Sequence, residues 1–162
     1  MLDKHQREAD IKTLENLLSN FNHEIFESFI KQLKCNSIKC DTLSKYLTTE
    51  KRFNSIALND SFELYDTALC ELIKNFAQEY AETTNYGKFF FDANPNSKLP
   101  ATFVLDFRKG KNEIWEEEKQ KLLLLQDSIL VSYEKWTNYV KTRYPEISKA
   151  VTNDISKRVA NL

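Results

Sequence analysis

The nearest approach to a catalytic motif in this sequence is His23-Glu24-Ile25-Phe26-Glu27. It matches the zinc-protease pattern His-Glu-x-x-His except that Glu27 stands where the second imidazole belongs. That chemistry needs two imidazoles four residues apart on one helix face, plus a third ligand. The only other histidine is His5, so the segment reads as a polar, solvated helix face. A carboxylate di-metal bundle needs two Glu-x-x-His pairs. The residues three before His23 and His5 are Asn20 and Leu2, so that class is excluded in its usual form.

Cys35 and Cys40 have a spacing that zinc accepts, but only Cys70 remains to complete a four-ligand set. Reduced structural thiols are the expectation. Glu116, Glu117 and Glu118 are consecutive, and consecutive helical side chains diverge rather than converge on one ion. No arginine is followed within several residues by a histidine, which removes the HEPN ribonuclease pattern. No catalytic, cofactor-binding or metal-binding residue is therefore assigned, and no cofactor is expected.

Two glycines, Gly87 and Gly110, occur in 162 residues. Dinucleotide-binding turns, phosphate-binding loops and nucleophile elbows each need several glycines close together. Three prolines are equally few for an all-β chain, whose turns consume both residues. With 41% hydrophobic and 12% aromatic residues, the chain has enough apolar surface to build a core. The formal net charge of -1 gives no general attraction to polyanions. No apolar leader opens the sequence, and the longest apolar run, Leu122–Leu125, cannot span a bilayer. With three cysteines, these features lead us to expect a cytoplasmic protein with no membrane association.

The expected fold is an all-α, helix-dominated bundle of four to six helices, a single domain over 1–162. Ile11, Leu14, Leu18, Phe21, Ile25, Phe29 and Leu33 recur at helical steps and predict a helix over 4–34. Ser19, Asn20 and Asn22 interrupt it, yet the apolar phase survives, which favours one long helix over two. Residues 35–58 are less regular, with Asp41 capping a short helix and a loop near Phe53–Leu58. Asp60, with Glu63, caps a predicted helix over 60–83. Phe103, Leu105 and Phe107 alternate as in a strand, with Phe89-Phe90-Phe91 as the candidate partner of a hairpin within 86–111. Asn112 caps a helix over 112–143 lined by Leu122, Ile129, Trp136 and Val140. A last helix is expected over 146–160. A helix over 112–143 would be about 48 Å long, against a diameter near 39 Å for a compact domain of this size. The bundle is expected to be elongated.

Two features point outward. Segment 86–111 interleaves aromatics with Lys88, Lys98, Arg108, Lys109 and Lys111. Such a segment suits partner docking or single-stranded nucleic acid, unless its rings simply fold onto the bundle. The run Leu122-Leu123-Leu124-Leu125 sweeps about 300° around a helix, more than one core absorbs. The expected function is a non-catalytic helical protein–protein interaction module, an accessory, adaptor or regulatory subunit that self-associates, as a homodimer, or binds a helical partner. Its partner-facing residues would be Phe89, Phe90, Phe91, Arg108, Leu123 and Leu124. A nucleic-acid-binding regulator using 86–111 is the alternative, with an enzyme built from scattered residues behind it.

Overall fold

The computed structural model describes residues 1–35, 37–92, 102–106 and 115–147. Helices dominate it: α1 (Lys4–Ser19), α2 (His23–Lys34), α3 (Cys40–Ala57), α4 (Thr67–Asn85) and α5 (Trp115–Arg143). Short strands β1 (Ser37–Lys39), β2 (Phe90–Asp92) and β3 (Thr102–Leu105) complete it, with a 3-10 turn over Tyr86–Phe89. No helix among the described residues is long and apolar enough to cross a membrane.

The predicted 4–34 helix is two helices, and the polar residues inside it are the reason. Asn20 Nδ2 donates to the Asn16 carbonyl at 2.8 Å and its backbone N–H to Leu17, closing α1. Asn22 then accepts from the Ile25 amide and opens α2. Phe21, between them, is 3% exposed, so the apolar phase continues through a break in the helix. Asp3 does form the capping box expected with Gln6.

The third predicted helix starts later than 60. Asn59 accepts from both the amide and the hydroxyl of Ser61, and this side-chain turn displaces helix. Asp66 supplies the cap, accepting from the Leu69 amide, and α4 runs to Asn85. Residues 35–58 are more regular than expected, because α3 runs without a break from Cys40 to Ala57. Asp41 lies inside α3 and Asp60 in the turn that precedes α4, so neither stands at the start of its helix; the Asn112 cap lies outside the described residues.

The hairpin forms. β2 and β3 pair antiparallel with Phe90 opposite Leu105 and Phe91 opposite Val104. β1, which periodicity did not reveal, adds to the other edge of β3, giving the order β1-β3-β2. A three-stranded sheet is sturdier than an isolated hairpin. Of the last predicted helix, Ile147 is buried and residues after 147 lie outside the described set.

The core is one aromatic-rich cluster. Phe21, Phe26, Phe53, Phe76, Tyr80 and Trp136 interlock at ring separations of 4.9–6.3 Å. α5 carries Leu122, Ile129, Trp136 and Val140 into it, as its periodicity predicts. Its 29 residues extend about 44 Å, with Glu116–Glu118 in the first turn and Lys141 and Arg143 in the last, as the helix dipole favours.

Candidate functional site

His23 and Glu27 lie one turn apart on α2 and meet a residue of α5. The Tyr133 hydroxyl donates to Glu27 Oε1 at 3.1 Å and sits 2.8 Å from His23 Nδ1. Because the phenol has one proton to give, His23 Nδ1–H is the donor to Tyr133. The imidazole also stands edge-on to Phe21 at 4.7 Å and stacks on Trp136. Burial lowers the His23 pKa, helped by Lys141 and opposed by Glu27. The segment that reads as a solvated face is thus a pin between α2 and α5. No third metal ligand joins it, and among the described residues no three His, Cys, Asp or Glu side chains converge.

A second polar cluster ties three helices together. Asp10, 1% exposed on α1, accepts the amides of Tyr65 and Asp66 at 2.8 and 2.9 Å. Asp66 caps α4 and accepts the Tyr139 hydroxyl at 2.9 Å. The Tyr144 hydroxyl lies 3.2 Å from Asp66 and 3.4 Å from Asp10. Arg7 closes the cluster over the Tyr144 ring and bonds Glu146 at 2.7 Å and the Arg143 carbonyl at 2.8 Å. Burial first, then the Asp66 and Asp10 carboxylates, raise the Tyr144 pKa. Paired carboxylates can do acid–base work, but here their oxygens are engaged by amides and hydroxyls of the same chain. The cluster is a clasp. Sequence reasoning missed it, because its members are spread from Arg7 to Glu146 and no local spacing links them.

The open region lies between α4 and α5, which run antiparallel: Tyr139 reaches Asp66, while Ser128 and Ser132 donate to Glu79 at 3.1 and 3.0 Å. Two hollows of about 550 and 540 Å³ lie along this seam and share Glu82, Leu125 and Ser128, making one groove. Leu124 and Val131, seven residues apart on one face of α5, line it at 72% and 52% exposure. Leu72 joins them from α4. At one end stand Tyr86 and Phe89 with Glu82 and Glu118. Burial, with the Glu118 carboxylate accepting its hydroxyl, pushes the Tyr86 pKa up to about 12.

Of the six expected partner-facing residues, Leu123 and Leu124 are exposed on α5 and only Leu124 lines the groove. Phe89 and Phe90 are both 7% exposed and belong to the core cluster, so they fold onto the bundle rather than standing outward. Phe91 pairs through its backbone in β2; its side chain and Arg108 lie outside the described residues. Val131 and Leu72 were not expected at this surface. The seven-residue spacing from Leu124 to Val131 was the available signal, but one extra apolar residue per heptad is weak against a core stripe that is just as regular. Cys35 and Cys70 are free thiols, one exposed at the end of α2 and one half-buried on α4. No family model, curated protein or solved structure matches this chain, so the geometry of its own surfaces carries the functional argument.

Proposed function

We propose that this chain is a non-catalytic interaction module that receives the apolar face of a helix, foreign or from a second copy, along the α4–α5 groove. The observation that carries it is the exposure of Leu124 and Val131 on the groove-facing side of a helix whose other side is core. Large apolar side chains aligned beside a concave surface mark an interface more often than single scattered ones do. Leu58 and Tyr65, also exposed, line neither of these two hollows. The acid–base clusters support the same reading, since their hydrogen bonds are spent on holding helices together. The nucleic-acid alternative loses two stacking rings, because Phe89 and Phe90 are buried.

Capture from native cell extract, with nuclease treatment, and sedimentation of the pure chain test this reading. Wild type is expected to hold a protein partner or to self-associate, and a Leu124→Glu/Val131→Glu double variant to lose that behaviour while keeping its melting temperature. Co-purifying nucleic acid in place of protein, or identical behaviour of variant and wild type, overturns it.

A further inference from the structure

We infer that Glu50 and Asn54 form a proton-dependent joint between α3 and α4, in which the neutral Glu50 carboxyl donates its proton to Asn54 Oδ1. Asn54 lies one turn beyond Glu50 on α3, and each residue is 8% exposed. Both amide protons of Asn54 are engaged, one by Glu50 Oε1 and one by the Ala77 carbonyl of α4 at 3.0 Å. That leaves Asn54 Oδ1, which is buried and has no donor among the described residues. A buried amide oxygen without a donor destabilises the fold. A carboxylate has no proton to offer it, whereas a carboxylic acid has one. With Asn54 Nδ2 already on Oε1, a proton on Oε2 closes a ring of two hydrogen bonds and satisfies both side chains.

The surroundings favour the neutral acid. Burial, opposed by the Asn54 amide, Lys51 and the Thr84 hydroxyl, holds the Glu50 pKa above its ordinary value of 4.5. Lys51 is the exposed neighbour of Glu50 on α3, while Tyr80 and Thr84 face it from α4. From α1, α2 and β1, which also pack on α3, no described charged group acts on it. Ionisation sets a carboxylate against the unpartnered Oδ1, with repulsion in place of a bond. It does so at the side chain that reaches across to α4, so the charge on Glu50 governs how firmly α3 and α4 hold together. Tyr80 Oη, also buried and without a partner among the described residues, is the competing acceptor.

Urea unfolding of the full chain and of Glu50→Gln across pH tests this. Glutamine presents an amide N–H where the acid presents its O–H, and both chains keep His23, so its titration cancels in the difference. Between the ordinary and the folded pKa of Glu50, the folded chain holds a proton that the unfolded chain has lost. Stability of the wild type should therefore fall as pH rises through that window and then level off. Relative to Glu50→Gln, the wild type is expected to lose up to about tenfold in its folded-to-unfolded ratio per pH unit there. Above the window the variant should be the more stable. A difference that does not vary with pH, or a variant less stable than wild type above the window, overturns the inference. Carbon-13 titration of the wild-type side chains gives a readout that needs no variant to fold. The Glu50 carboxyl and the Asn54 amide should move together, with a midpoint above the ordinary glutamate value. A midpoint at or below that value, or an Asn54 amide that does not move, overturns the inference. Tyr80→Phe should keep the pH slope; its loss would assign the proton to Tyr80 and overturn Asn54 as the acceptor.

Discussion

The two ends of the α4–α5 seam use similar residues to opposite effect. At the Asp66 end, Asp10, Asp66, Tyr139 and Tyr144 engage one another, and Arg7 seals the cluster with a ring contact and two hydrogen bonds. At the Tyr86 end, carboxylates and rings again lie together, but around a hollow of about 550 Å³ with Leu124 at its edge. A buried carboxylate is tolerated where amides and hydroxyls replace its water, and a cluster satisfied in that way has nothing left to offer a ligand. At the other end it is Leu124 and Val131, exposed beside the hollows, that retain apolar surface a partner can cover. Residue type alone therefore does not separate a clasp from a site; what separates them is how completely the chain satisfies its own polar and apolar groups.

The largest effect should come from breaking the closed side at its centre. Trp136, 1% exposed among Phe21, Phe53 and Phe76, should cost about 3–5 kcal/mol on truncation to Ala, measured by denaturant unfolding. Next comes Asp10→Ala, which leaves the Tyr65 and Asp66 amides without their acceptor and should cost about 2–4 kcal/mol. A near-neutral Asp10→Ala would show that the clasp is ornamental, and the contrast between the two ends would fail.

The His23 pin should show itself through pH. Burial holds its folded pKa below the ordinary value of about 6.5. Between those two values the unfolded chain binds a proton that the folded chain does not. Stability should therefore fall as pH drops through 6.5 towards the folded pKa, then level off. Comparing urea unfolding of wild type and His23→Gln across this window checks it, with the variant expected to lose that part of the slope. The smallest stability effect belongs to the open side: Leu124→Glu should shift unfolding by no more than about 0.5 kcal/mol, since the side chain is 72% exposed.

Much of the scaffold is legible in the sequence, for a physical reason. Leu122, Ile129, Trp136 and Val140 repeat with the helical period because a core-facing stripe must, and burial follows that period. The alternation of Phe103 and Leu105 likewise carries the strand pairing of β3 with β2. Helix ends are less legible, because they turn on side chains that serve several purposes. Asn20 and Asn22 look like flaws in a long helix and are in fact its two caps, while Asp60 looks like a cap that Asp66 supplies instead. The clasp is illegible in sequence, since Asp10 meets Asp66 and Tyr144 only through tertiary packing. Leu123 and Leu124 stand out in the leucine run, but which of them borders a groove depends on where α4 lies.

Mapping amide chemical shifts while a synthetic amphipathic helical peptide with a leucine stripe is added tests the central contrast most directly. The account predicts perturbations along Leu72, Glu79, Glu82, Leu124, Ser128 and Val131, with Asp10, Asp66 and Tyr144 unmoved. Shifts centred on the Asp10–Tyr144 cluster, or confined to the β-sheet with the α4–α5 groove silent, would contradict it.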